Sequence, residues 1–303
     1  MFSRKQKLVL LKFFSLFSVI RGYNILFLII AIYLTSIYIL APDLPVREVL
    51  LDLNLLMLVL ASVSAVASGY IINNFYDSEK DLINRPRKTF LDRMVSQRTK
   101  LSTYFVVNLL SVIFASYVSF KAVIFFSVYI FFLWFYSHKL KKYPFIGNLT
   151  AAILTVVPFF AVFIHYGNFD KVIFVHAIFL FMIISMRELV KDLENLRGDL
   201  THGYQTIPVV YGEETSKKML SWMIPFTLIP AVLLVTTFKE DIGYMDIYFY
   251  GSMATLMLFL IFLWMAKKKL HYIILHTLLR LILVIGVLSI VLIHVEDFAT
   301  RLF

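Results

Sequence analysis

Nine predominantly apolar stretches, each about 17–25 residues long, follow one another along this chain, and no other feature limits its fold as tightly. They run approximately over 24–41, 53–76, 102–120, 122–138, 145–165, 171–187, 218–238, 246–266 and 272–294. In hydrocarbon the backbone has no water to bond, so each stretch must close its hydrogen bonds within a helix. The expected fold is therefore an all-α integral membrane protein, nine transmembrane helices around a central cavity. Composition agrees: 60% of the 303 residues are hydrophobic and 16% charged, where a soluble domain is nearer one half and one quarter. Mean hydropathy is +0.84.

The formal charge of +10 could suggest a nucleic-acid partner, but its distribution argues otherwise. Taking the N-terminus as cytoplasmic, Lys and Arg number five before residue 24, seven in 77–100, three in 139–142, five in 187–218 and three in 267–269. The opposite face carries only Arg47, Lys121, Lys171, Lys239 and Arg301, with Arg280 inside the last span. That asymmetry is the positive-inside pattern of a multi-pass membrane protein, expected in a cell inner or plasma membrane with its N-terminus in the cytoplasm. Residues 1–23, with Arg4, Lys5, Lys7, Lys12 and Arg21, read as a basic amphipathic helix on the membrane surface rather than a cleavable signal. Cysteine is absent, which excludes disulfides, thiolate metal sites and a thiol nucleophile. No linker separates a second domain, so residues 1–303 read as one unit. Its two longest loops, 77–100 and 188–217, both fall on the cytoplasmic side.

Those loops also gather most of the acids. The second span runs out through Asn73, Asp77 and Asp81, each about 40° around the helix from the last, forming one polar stripe roughly 12 Å long. The sixth runs out through Glu188, Asp192, Asn195 and Asp199, at steps of four, three and four, again a single face. A mixed acid–base helix end is ordinarily a solvated cap. Two such stripes on one membrane face argue for more, because charge at that depth needs a cation or a wet cavity. Magnesium suits all-oxygen ligands and completes its shell with water and substrate phosphates. Lys80, Arg85, Arg87, Lys191 and Arg197 interleave with the acids and favour an anionic ligand such as a diphosphate.

Asn73, Asp77 and Asp81, followed by Asn84-Arg85-Pro86, resemble the first signature of the UbiA superfamily of intramembrane prenyltransferases. The run Lys191-Asp192-Leu-Glu-Asn195-Leu-Arg-Gly198-Asp199, with His202-Gly203 and Thr206-Ile207-Pro208, is similar to the second. Tyr136-Ser-His-Lys139-Leu-Lys141, leading to Gly147-Asn148-Leu149, resembles the family's connection between helices four and five. The chain departs from the pattern at Asn195, where the family usually has Asp, and in Arg-Lys-Thr-Phe-Leu-Asp-Arg-Met after Pro86.

The resemblance implies a membrane enzyme that moves a polyprenyl group from its diphosphate to a small or lipidic acceptor. It implies Asp77, Asp81, Asp192 and Asp199 as magnesium ligands and catalytic carboxylates. Asn73, Arg85, Tyr136, Lys141, Asn195 and Asn24 would contact substrate. The acceptor is a geranylgeranylglyceryl-phosphate-like lipid or an aromatic quinone precursor of the hydroxybenzoate, dihydroxynaphthoate or homogentisate type. The Arg187-Glu-Leu-Val-Lys-Asp192 run and the Gly198-Asp199 pair resemble both of these branches, and the expectation leans to the lipid. No protein partner is evident. The rival from another class, an ion-coupled secondary transporter, expects its acids near the bilayer midplane, whereas these stand at helix ends.

Overall fold

A computed structural model describes residues 4–293. Arg301 and the side chains of Arg4, Lys5 and Lys7 fall outside what it describes. Among the described residues there is no β-strand, and nine helices are long and apolar enough to cross a membrane. In chain order the helices are α1 (Arg4–Val19), α2 (Gly22–Thr35, continued by a π turn over Ser36–Leu40), α3 (Val46–Leu51), α4 (Leu53–Asp77), α5 (Lys80–Asn84), α6 (Pro86–Asp92) and α7 (Gln97–Val118). They continue as α8 (Phe120–His138), α9 (Ile146–Tyr166), α10 (Lys171–Thr201), α11 (Ile207–Thr236), α12 (Lys239–Ile242), α13 (Asp246–Met265) and α14 (Lys269–Ser289).

The expected spans are all present, with corrections at their ends. The break expected at Lys121 falls at Ser119, whose side chain accepts the Ala122 N–H at 3.1 Å and so caps α8. The stretch 77–100, expected as a loop, contains α5 and α6. Pro86 opens α6 at its first turn, where a missing N–H costs nothing. The expected loop 188–217 is reduced to 202–206, because α10 runs on to Thr201 and α11 begins at Ile207. Leu189, Val190 and Leu193 remain buried along that extension, so the helix keeps an apolar face after its mean hydropathy has dropped. Near its start α11 breaks at Gly212, whose φ of 84° is open to glycine and strained for other residues.

The chain forms two compact units, each assembled from separated stretches. The first comprises Met1–Ile30, Leu53–Lys141 and Arg197–Gly203. Its centre is α4, where Ala61, Ser62, Ser64, Ala65, Ala67, Ser68 and Gly69 are all buried. Small residues let neighbouring helices approach closely where no water drives them together. Thus Ser111 of α7 donates to the Ala61 carbonyl at 2.8 Å, and Leu133 of α8 packs where a Cβ on Gly69 would lie 3.0 Å away. Val19, Ile71, Ile72 and Tyr104 form an apolar cluster beside this, with Phe75 and Trp134 against it.

The second unit comprises Ala31–Asp52, Lys142–Leu196 and Tyr204–Phe303. Here Tyr248 of α13 donates to the Ile282 carbonyl of α14 at 3.1 Å, lying over Gly286, which leaves it the room. Phe179, Tyr248 and Phe249 stack edge to face. Lys217 of α11 is buried and donates to the Ala266 carbonyl at the C-terminal end of α13, where a cation meets the negative pole of the helix. Large apolar side chains such as Ile247, Leu258, Ile261 and Phe262 point outward, as lipid-facing residues do.

Candidate active site

The polar end of α4 carries two environments side by side. Consecutive residues of a helix point about 100° apart, and Asn73 and Asn74 therefore face different partners.

Asn73 faces an acid–base cluster. Its side-chain oxygen accepts from Lys141 Nζ at 3.1 Å, and the same ammonium lies 2.7 Å from Asp77 Oδ1. Lys80 stands between two carboxylates, 3.5 Å from Asp77 and 3.3 Å from Asp199. Asp77, Asp199 and Lys141 are buried, and the Lys141 ammonium sits 6.0 Å from the Tyr76 ring centre. Asp81 is coupled to the group: burial raises its carboxyl above the usual range and the Asp77 charge adds to this, while Arg85, Lys80 and Arg21 pull the other way. For Lys80, burial disfavours the ammonium, but Asp77, Asp199 and Asp81 outweigh it and hold its pKa above the usual lysine value. Three carboxylates thus share two lysines.

What brings Asp199 here is a contact the sequence reading did not anticipate. The Gly198 N–H donates to Asn84 Oδ1 at 3.2 Å, and a Cβ on residue 198 would lie 2.3 Å from Asn84 Nδ2. The end of α10 therefore rests on the end of α5 through a surface with no side chain. Asn84 was legible only as part of Asn84-Arg85-Pro86, without a role.

Asn74 faces a different group. Its Nδ2 donates to Asp92 Oδ2 at 2.8 Å, and its Oδ1 accepts from Lys100 Nζ at 2.8 Å. Asp92 also accepts from Ser18 at 2.7 Å and from Lys88 at 2.6 Å, and Ser15 donates to the Leu91 carbonyl at 2.8 Å. Lys100 and Asp92 are only 1% and 2% exposed. This network ties α1, α4, α6 and α7 together, and nothing in the sequence pattern singled it out.

The remaining predicted residues divide between the units. Asn24 donates to the Tyr70 hydroxyl at 3.2 Å, with the Arg21 guanidinium 5.0 Å from the same ring, and Tyr136 is half-buried on α8, all in the first unit. In the second unit Asp192 accepts from Asn148 Nδ2 at 2.8 Å. Asn195 is buried there and its side-chain oxygen meets no hydrogen-bond donor. Glu188 takes Arg187 on one oxygen at 2.9 Å and Lys191 on the other at 2.5 Å.

Among the described residues no three His, Asp or Glu side chains converge closely enough to hold a metal unaided. The donor set nonetheless fits magnesium. Its oxygens are hard, its carboxylates exceed its lysines, and the Lys80 ammonium already occupies a cation position shared by two of them. Magnesium rarely has an all-protein cage and takes substrate phosphates to complete its shell.

Comparison with known proteins places the chain. The sequence model of the UbiA prenyltransferase family matches residues 27–272. A digeranylgeranylglyceryl phosphate synthase of Methanobrevibacter smithii is 29% identical over 210 residues, 65% of this chain and 69% of that protein. One from Thermococcus sibiricus is 33% identical over 176 residues, 58% of this chain and 61% of that protein. Among solved structures, one of a digeranylgeranylglyceryl phosphate synthase superposes with a TM-score of 0.69 at 21% identity, covering 94% of this chain and 99% of the other. A UbiA homologue from Archaeoglobus fulgidus bound to geranyl diphosphate and magnesium gives 0.64 at 14% identity, covering 91% and 99%. At such identities the structural likeness establishes the fold.

Proposed function

The chain belongs to the UbiA prenyltransferase family, an integral multi-pass membrane enzyme, and on that premise we propose that it transfers a geranylgeranyl group from its diphosphate to the free hydroxyl of geranylgeranylglyceryl phosphate, using magnesium. The supporting observation is the cluster of Asp77, Asp199, Lys80 and Lys141, which suits a metal-bound diphosphate. The synthases named above support the choice of acceptor.

Asp77, Asp81 and Asp199 are the proposed magnesium ligands in the first unit, and Asp192 keeps that role on the strength of its spacing from Asp199 along α10. Bound there, the metal would neutralise charge gathering on the departing diphosphate oxygen. The rest falls to the protein. Lys141, steadied by Asn73, donates to a diphosphate oxygen, and Lys80, beside Asp77 and Asp199, offers the phosphates a second ammonium. Arg85 adds a guanidinium at the rim. The leaving diphosphate departs with the electron pair of its carbon–oxygen bond, and the acceptor hydroxyl attacks the carbon so exposed and gives up its proton to an oxygen of the released diphosphate. Apolar walls keep water from competing for that carbon.

The test is direct. Membranes holding the enzyme, given labelled geranylgeranyl diphosphate and a panel of acceptors, should yield a product with the mass of digeranylgeranylglyceryl phosphate. Prenylated hydroxybenzoate, dihydroxynaphthoate or homogentisate, with no lipid product, would overturn the acceptor and leave the family intact.

A further inference from the structure

The inner part of α10 in the second unit holds charges that the diphosphate chemistry does not use. Arg187 and Lys191 are four residues apart and so share one helical face. Glu188 lies between them and accepts Arg187 Nη2 on Oε1 at 2.9 Å and Lys191 Nζ on Oε2 at 2.5 Å. One carboxylate therefore serves two cations. The next carboxylate, Asp192, accepts from Asn148 and is proposed for the metal. Arg187, Glu188 and Lys191 together keep one positive charge in excess, in a helix long and apolar enough to span the membrane. The donors exceed the acceptors as well. Arg187 Nε is buried and meets no acceptor, a costly state for a charged donor within the protein. Both side chains are part-buried rather than solvated, with 24% and 29% of their surface exposed. A solvated helix face would show neither feature.

We infer that Arg187 and Lys191, held by Glu188, form the site for the phosphate of the acceptor lipid, and so select a phosphomonoester acceptor over an uncharged one. The inference rests on the acceptor proposed above, whose product name carries a glyceryl phosphate. A dianionic phosphate supplies the missing charge and gives Arg187 Nε its acceptor, and guanidinium plus ammonium is a strong pair for such a group. Glu188 has a second part in this arrangement: held between two cations, it prevents them from spreading apart when no acceptor is bound. These three act as specificity and positioning residues, and the bond-making step stays with the cluster in the first unit.

The experiment uses the full-length enzyme in detergent with labelled geranylgeranyl diphosphate and two acceptors, geranylgeranylglyceryl phosphate and the same lipid without its phosphate. Steady-state constants are measured for the parent, Arg187→Gln, Arg187→Lys and Lys191→Gln. Arg187→Gln should raise KM for the phosphate acceptor about 30-fold or more, the scale of a lost charge-assisted contact. The parent's preference for the phosphate acceptor over the alcohol should fall by a similar factor, while KM for the diphosphate stays close to the parent's. Arg187→Lys should lie between, since it keeps the charge and loses the fork, and Lys191→Gln should move the same constants. If Arg187→Gln does not accumulate as folded protein, Arg187→Lys and Lys191→Gln decide the matter. Equal losses on both acceptors, or a rise confined to the KM for diphosphate, would overturn the assignment. A parent that uses the phosphate lipid beside an indifferent Arg187→Gln refutes this inference alone. A parent that ignores the phosphate lipid refutes the proposed acceptor and this site with it.

Discussion

Asn73 and Asn74 are neighbours on α4, yet each heads a cluster of carboxylates and lysines with a different balance. Around Asn74 one carboxylate, Asp92, receives Ser18, Asn74 and Lys88, while Lys100 is held by Asn74 itself. Three of these four contacts join one helix to another, and the group, one carboxylate among two lysines, is rich in base. Around Asn73 three carboxylates share Lys80 and Lys141, and Lys80 lies within 3.5 Å of two of them. Buried polar groups that are fully paired hold a structure in one arrangement. A cluster in which carboxylates outnumber ammoniums is arranged to take a cation. The sign of the excess, rather than residue type, separates scaffold from site.

The comparison can be broken most sharply by removing the cation. Excess chelator should abolish turnover and leave the protein folded, with magnesium restoring activity. Full activity in chelator would mean the surplus carboxylates serve no metal. Asp77→Ala and Asp199→Ala should follow, each losing about 10²-fold or more in single-turnover transfer, because transition-state charge is no longer offset. The rate is taken per folded molecule, because Asp77→Ala also leaves buried Lys141 without its carboxylate. Asp92→Ala should show the reverse: it strands Lys88 and Lys100, lowers stability by about 3 kcal/mol, and leaves the rate per folded molecule near that of the parent. A variant that is stable but inactive would move Asp92 from scaffold to site. Smaller still is Asn195→Ala, which removes a neutral oxygen and should cost only a few-fold in rate, and less than Asp192→Ala. The last test changes no rate at all. Both clusters are proposed to lie at the cytoplasmic face, so a cysteine at Ser96 should label only from that side and one at Asp170 only from the other, on a background that has no cysteine. Labelling of both from one side would refute the proposed orientation.

Much of this was legible in the sequence, for a physical reason. A span needs a long apolar run whatever its neighbours are, so all nine were visible. The acid stripes were visible because helical spacing alone puts Asn73, Asp77 and Asp81 on one face. Hydropathy failed where a helix outlasts its apolar run: α10 continues past residue 187 because Leu189, Val190 and Leu193 still bury one side. The Asp92 network was hidden because it joins Ser18, Asn74, Asp92 and Lys100, residues with no common period. Asn73 and Asn74 look alike as letters, and only the turn of the helix tells them apart. Lys80 read as one of several interleaved bases, and its place between Asp77 and Asp199 needed the fold to bring residue 199 to residue 80.

The bare surface at Gly198 has a consequence for how this gene can vary. Every replacement open to a single codon change adds a Cβ, and that atom would fall within 2.3 Å of the Asn84 amide. Relief would have to come from moving Asn84 or lifting the end of α10, and either displaces the adjacent Asp199 from Lys80. A lineage drifting at this position therefore has no small first step: it would need a compensating change at residue 84 at the same time. Asn84 and Gly198, 114 positions apart, are bound to change together or to stay as they are.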